Sequence, residues 1–130
     1  MLRKDFIMVQ IEELGKIIAQ LILNRNSNDG AKENPELIRS IYSSLKISED
    51  YLLSNNPEDI RHYLDHDDAC GLQRMELAAK TLLEDSYITS TSAAKKLRQK
   101  SKELLEYIQR NDTTFSLERL ALIEEIETKN

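Results

Sequence analysis

The sequence predicts an all-α protein, a single helical domain over residues 1–130 that forms an antiparallel bundle of about six helices with no sheet. Apolar side chains recur every three or four residues along most of the chain, which is the spacing of one helix face. The chain has three glycines and two prolines among its 130 residues, so few positions interrupt a helix. No segment alternates apolar and polar residues over the length of a strand.

The first predicted helix covers residues 3–25 and is unusually apolar. Its main stripe comprises Ile7, Ile11, Leu14, Ile18, Leu21 and Ile22, and it is widened by Phe6, Val9, Ile17 and Leu23. A helix that is apolar over so much of its surface is either surrounded by other helices or shared with a partner. We expect it to be the central helix of the bundle, with a homodimer through this first helix as the alternative.

The middle of the chain carries turn and cap signals. Residues 26–33 are polar and predict a loop, after which Asn34 is the expected N-cap of a helix that has Pro35 at its first position. The expected buried face of that helix is Leu37, Ile38, Ile41 and Leu45. Ser48 predicts the cap of a short helical turn, and Asn56 predicts the cap of the helix after it.

Two longer helices follow. Either Asp67 or Asp68 is the expected N-cap of a helix over residues 69–86. The hydroxyl-rich segment 89–92 then precedes a helix over residues 92–110. Both segments carry an apolar residue every three or four positions, so each is expected to turn one face towards the core.

The last predicted helix has a well-defined start. Ser116 is the expected N-cap, and Phe115 before it can pack against Leu120 as a hydrophobic staple. The expected inward residues are Leu117, Leu120, Ala121, Ile123 and Ile126.

Two resemblances concern the fold. The hairpin formed by 72–86 and 92–110, closed by a third helix, resembles tetratricopeptide-like (TPR-like) helical arrays. The whole chain is similar to a family of short bacterial proteins of unknown function. That similarity rests on Leu2-Arg3-Lys4-Asp5-Phe6-Ile7, Ile11-Glu12-Glu13-Leu14 and Thr114-Phe115-Ser116-Leu117-Glu118-Arg119. It implies a short TPR-like stack of helix hairpins and supplies no reaction, ligand or active site.

Composition and charge limit the function classes. The formal net charge is −5, whereas nucleic-acid binders usually present a positive field, so we do not expect nucleic acid as a partner. No run approaches the roughly 18 apolar residues of a membrane span. Cys70 is the only cysteine, so no internal disulfide can form. These features predict a cytoplasmic protein that has no membrane partner and no cofactor.

One cluster contains metal-ligand side chains. Glu58, His62, His66 and Cys70 are each four residues apart, so one continuous helix would align them on one face. Zinc takes four nitrogen, sulfur or oxygen ligands of these kinds. Gly71 and the acidic pair before Cys70 instead indicate a junction between helices, so we favour a polar turn without a metal.

A catalytic alternative rests on a short motif. Arg61 and His66 resemble the Arg-x₄₋₆-His motif of a superfamily of small all-helical ribonucleases. The resemblance implies that the His66 imidazole transfers protons and that the Arg61 guanidinium holds the scissile phosphate. The neighbouring carboxylates oppose RNA binding, so we assign no catalytic residue. The alternative function is a ribonuclease-like or metal-dependent hydrolase that uses Arg61, His62 and His66.

Lys95, Arg98 and Lys102 form the main basic concentration and share one helix face. They could bind an acidic partner peptide or RNA, although a solvated helix face is the interpretation we favour. No aromatic residue lies among them to stack on a base.

The sequence thus predicts a non-enzymatic protein–protein interaction or scaffold module with a protein or peptide partner. The small hydrolase is the alternative. Convergence of Arg61, His62 and His66 in a concave pocket would favour the hydrolase, and dispersal of these side chains would favour the module.

Overall fold

A computed structural model describes residues 2–27, 29–66 and 69–129, with side chains from Ile7 onward. The helices are α1 Leu2–Arg25, α2 Asn34–Leu45, α3 Glu49–Ser54, α4 Pro57–Asp65, α5 Gly71–Ser86, α6 Thr91–Asn111 and α7 Leu117–Lys129, with a 3₁₀ turn at Gly30–Glu33 before α2. No strand occurs in these ranges, which confirms the all-α helix bundle. No helix among them has both the length and the apolar content needed to cross a membrane.

Local cap chemistry sets several helix starts. The Ser48 hydroxyl accepts a hydrogen bond from the Tyr51 N–H at 3.0 Å, and the Asn56 side chain accepts one from the Asp59 N–H at 2.8 Å. Ser116 accepts from the backbone N–H three residues later, also as predicted. Each cap supplies an acceptor to an N–H that has no partner inside its own helix.

Asn34 is not the N-cap that the sequence predicts. It is the first residue of α2, and its buried side chain donates to the carbonyl oxygen of Leu21 at 3.2 Å and accepts from Asn24 at 3.1 Å. The 3₁₀ turn leads directly into α2, so the backbone before Asn34 is already helical and tertiary hydrogen bonds take the place of a cap.

Two other predictions concern the starts of α7 and α5. Phe115 is 67% exposed, so the expected staple with Leu120 buries little of its ring. The expected N-cap at Asp67 or Asp68 lies outside the described residues, and α5 begins at Gly71.

The central helix is α5, and the expectation that α1 occupies the centre is wrong. Twelve of the sixteen α5 residues are buried, and α5 packs against α1, α2, α4 and α6. Small residues such as Ala78 and Ala79 let neighbouring helices approach closely. The helix also buries Glu84 and Asp85, and both make hydrogen bonds to other helices. α1 packs on α5, on α2 and on the 3₁₀ turn before α2, through buried residues that include Leu14, Ile18 and Leu21.

The C-terminal helices complete the core. The short segment after α5 reverses the chain, and the Ser101 hydroxyl of α6 donates to the Ala79 carbonyl oxygen at 2.7 Å in the middle of the pair. α7 then packs on α6 through Ile123 and Ile126. This hairpin with a third helix beside it agrees with the expected order of elements, and TPR-like architecture stays a prediction.

Candidate interaction surface

The proposed metal ligands do not share one helix. α4 ends at Asp65, His66 follows it with a φ of 49°, and Cys70 lies immediately before α5. Glu58 and His62 are exposed on α4. Within the described ranges, no group of three or more His, Cys, Asp or Glu side chains is placed to hold a metal ion.

The residues of the hydrolase alternative occupy different settings. Arg61 is half-buried in the middle of α4, whereas His66 is exposed after the end of that helix and its ring lies 6.5 Å from the ring of Tyr63. The groove between α1 and α7, described below, is not lined by any of these three residues.

The basic residues of α6 are partly neutralised. Lys102 pairs with Glu127 of α7 at 3.3 Å. Lys95 is exposed, and Arg98 is half-buried and has a partner of its own. The surface therefore carries less positive potential than the sequence alone indicates, which agrees with the interpretation as a solvated face.

α1 presents large apolar side chains to solvent. The exposed fractions are 58% for Met8, 54% for Val9, 41% for Ile22 and 66% for Leu23. The Phe6 side chain, which the sequence adds to this set, lies outside the described residues. Isolated exposed apolar residues are common, but two pairs of them on one helix, with the charged residues Glu12, Glu13 and Lys16 between them, indicate an interaction surface.

A groove of about 160 Å³ runs beside this surface. The α1 wall is formed by Gly15, Ile18, Ala19 and Ile22, the α5 floor by Lys80, Leu83 and Glu84, and the α7 wall by Glu118 and Leu122. A side chain added at Gly15 would meet open space, so α1 and α7 are not in close contact there. The groove is a concave, largely apolar surface with charged edges, as binding sites commonly are.

Two ion pairs hold the walls to the floor. Lys80 of α5 pairs with Glu118 of α7 at 2.8 Å. Arg25 of α1 donates twice to Glu84 of α5, through Nε to Oε1 at 3.0 Å and through Nη2 to Oε2 at 3.2 Å. Because Glu84 is buried and this contact is bidentate, it fixes the end of α1 more firmly than an exposed pair would.

Tyr87, immediately after α5, contacts residues of α1 and α7. Its hydroxyl donates to Glu125 of α7 at 2.8 Å. The Arg25 guanidinium carbon lies 4.1 Å and the Lys129 ammonium 4.7 Å from the ring centroid, which is the geometry of cation–π contacts. Burial raises the pKa of the Tyr87 hydroxyl, so it remains a hydrogen-bond donor at neutral pH. α1, α5 and α7 are therefore linked at this point.

A carboxyl pair lies elsewhere, where α3 meets the end of α5. Asp85 accepts a hydrogen bond from the Tyr42 hydroxyl at 3.1 Å and one from Thr89 at 3.3 Å. Glu49 also hydrogen-bonds Asp85. That bond, burial and the negative charges of Asp85 and Asp50 raise the pKa of Glu49 to about 7. Glu49 therefore holds its proton at slightly acidic pH.

Stability is expected to fall as pH rises from about 4.5 towards 8. The folded protein binds the Glu49 proton more tightly than the unfolded chain does, so ionisation through the raised pKa disfavours folding. Because Glu49 is only partly buried, solvent screens part of this effect, and the loss should be about 1 kcal/mol. Urea unfolding at pH 5, 6, 7 and 8 measures it, with Glu49→Gln as the control that should flatten the profile. Identical pH profiles for the parent and Glu49→Gln would show that this pair does not control the dependence.

Sequence reasoning missed the α5 and α7 parts of the groove. No local signal marks Leu83 and Leu122 as groove residues, because their place beside α1 depends on how three separate helices pack. Arg119 carried a local signal, because it lies four and seven residues before Ile123 and Ile126 on their buried face. A charged residue in such a stripe indicates a buried polar contact.

Comparisons with known proteins supply no assignment: no family model, no curated protein and no solved structure matches this chain significantly.

Proposed function

We propose that this protein is a non-enzymatic protein-binding module whose binding surface is the exposed side of α1 together with the adjoining groove. One observation carries the proposal: α1 keeps Met8, Val9, Ile22 and Leu23 exposed along one helix, beside a groove with an apolar lining. Covering such side chains is favourable by about 25 cal/mol per Å² of apolar surface removed from water. The partner is a protein or a peptide with an apolar face of helical dimensions.

The ion pairs around the groove support a binding role more than a catalytic one. Two ion pairs join different helices here, Arg25 with Glu84 and Lys80 with Glu118. Their charges hold α1 and α7 in place, so the apolar surface is formed before a partner arrives. A surface that is already ordered loses less conformational entropy on binding.

Photo-crosslinking in the native host tests this proposal. A photoreactive amino acid in place of Leu23 is expected to capture a protein in one or a few defined bands. Leu117 on α7 is the matched control, because it is a leucine of similar exposure on a different helix, 74% exposed against 66% for Leu23. The band from position 23 should disappear when Met8→Glu is added, since that change puts a charge on the same surface.

Equal crosslinking at positions 23 and 117, or none at position 23, would contradict the assignment of the binding surface to α1. Leu23, Leu117 and Met8 are all exposed, so replacing them removes no buried side chain. A loss of folding is therefore not expected to confuse the result.

A further inference from the structure

The part of α1 furthest from the core is defined here as its outer face. Helical geometry of about 100° per residue places it opposite the buried residues Leu14, Ile18 and Leu21. Its exposed members include Met8, Val9, Glu12, Lys16, Ala19 and Leu23, with Glu13 and Gln20 at one edge. Each of these side chains is exposed in the described part of the chain, and Ala19 also lies at the edge of the groove beside α7.

We propose that the outer face of α1 binds the outer face of α1 from a second copy of this chain, in an antiparallel two-fold homodimer. This inference rests on the proposed function, since it takes α1 as the binding surface, and it names the partner. A two-fold interface uses the same patch on both subunits, so the patch must be complementary to itself.

The apolar residues of the outer face meet that requirement. Met8 and Leu23 are equally far from the middle of the face, and so are Glu12 and Ala19. A two-fold axis through that midpoint places Met8 of one copy against Leu23 of the other, at both ends of the contact. The small Ala19 then lies against Glu12 of the second copy and leaves room for the longer side chain.

The charges select the antiparallel direction. In a parallel pair, Glu12 would face Glu12 and Lys16 would face Lys16, and like charges repel. In the antiparallel pair, each Lys16 lies within about one helical turn of Glu12 in the second copy. The existing partner of Lys16 is Glu13, at 3.7 Å with both side chains mostly exposed, and such a pair contributes little that dimerisation would lose.

The shape of the molecule permits this contact. α2 and α5 lie against the inner side of α1, so the two subunit bodies would stand on opposite sides of the helix pair. α1 has 24 residues and is about 36 Å long, which makes the whole outer face available. One helix from each subunit forms a contact below the usual size of a stable interface, so a weak, concentration-dependent dimer is expected.

Sedimentation equilibrium of the full chain from about 1 µM to about 1 mM tests the dimer. The parent is expected to show a concentration-dependent monomer–dimer equilibrium. Leu23→Glu should weaken the dimer at least about tenfold, because each dimer then carries the charge at both ends. Leu117→Glu adds the same charge at an exposed leucine on α7 and should leave the equilibrium unchanged. A parent that remains monomeric at 1 mM, or an equal loss in both variants, would overturn the proposal.

Disulfide trapping tests the direction, in chains whose Cys70 is replaced by alanine. An equimolar mixture of Met8→Cys and Leu23→Cys chains should form the mixed disulfide, because bridging needs the two Cα atoms within about 7 Å. Met8→Cys chains alone should not form a disulfide-linked dimer. Efficient trapping of Met8→Cys alone would indicate a parallel pair and reject this arrangement. A monomeric chain that still crosslinks another protein through position 23 would reject the homodimer and leave the proposed function intact, whereas failure of both would reject both.

Discussion

Replacing Arg119 with methionine is expected to lower the free energy of unfolding by about 3 kcal/mol. Arg119 is buried at the start of α7, where Nη2 donates to Glu76 of α5 at 3.1 Å and to Asp112 at 2.9 Å. Nη1 donates to Gln109 of α6 at 2.8 Å. One side chain thus joins α7 to both helices of the central hairpin. Its loss leaves Asp112 without the Arg119 cation and leaves Glu76 with the longer Lys80 contact at 3.6 Å.

The electrostatics support a large effect. The backbone N–H of Thr114 and the Arg119 guanidinium hold the pKa of Asp112 below its usual range, so the carboxylate is ionised at neutral pH. Methionine has a similar length and no charge, so Glu76 and Asp112 would remain close together without the cation that now lies between them.

Urea-induced unfolding, followed by circular dichroism at pH 7, measures this change. Arg110→Met is the matched control, because Arg110 is exposed on α6, and it should alter stability by less than about 0.5 kcal/mol. A loss below about 1 kcal/mol for Arg119→Met would show that the contact does not hold α7 in place.

Substituting Gly71 with alanine is expected to destabilise the fold by about 2 kcal/mol or more. A Cβ at Gly71 would collide with the carbonyl oxygen of Arg61 and the carboxylate of Asp65. The Gly71 N–H also donates to that carboxylate at 2.9 Å, so α5 begins directly against the end of α4. A backbone atom cannot move away as a flexible side chain can, so the two helices would have to separate.

Gly15→Ala is the matched control for this prediction. Gly15 lies within α1, where an added Cβ meets open space, so alanine should raise stability by about 0.5–1 kcal/mol through its better helix propensity. Thermal and urea unfolding of both variants measure the pair of effects. Similar changes in the same direction for the two substitutions would contradict the close approach at Gly71.

Local signals predicted the helices well because helix starts and apolar spacing depend on neighbouring residues. Ser48, Asn56 and Ser116 accept the expected hydrogen bonds. Asn34 failed as a cap because its strongest partners, Asn24 and the Leu21 carbonyl, come from another helix. The residues that flank Asn34 in the sequence do not indicate these contacts.

The central position of α5 could not be predicted from the sequence for a related reason. Glu84 and Asp85 look like surface residues, and they are buried because Arg25 and Tyr42 from distant segments hydrogen-bond to them. α1 looked central because it is richer in large apolar residues. The excess apolar surface on α1 is therefore not used by the fold, which is why we assign it to a partner.

The candidate site was predicted in part. The wide apolar face of the first helix followed from the spacing of residues such as Val9 and Leu23, and a homodimer through this face was the alternative that the spacing left open. The groove did not, because it requires α1, α5 and α7 to come together. The Glu58–Cys70 alignment needed one continuous helix, and the break between Asp65 and Gly71 removes it.

Cysteine labelling inside intact cells of the native host tests the central claim, that a protein covers the exposed side of α1. Leu23→Cys and Leu117→Cys chains, each with Cys70→Ala, are exposed to a membrane-permeable thiol reagent. In dilute purified protein both positions should react at similar rates, since both leucines are exposed. In cells, position 23 should react at least about tenfold more slowly than position 117. Equal rates in cells would mean that the apolar surface of α1 stays open to water, which contradicts the proposed function.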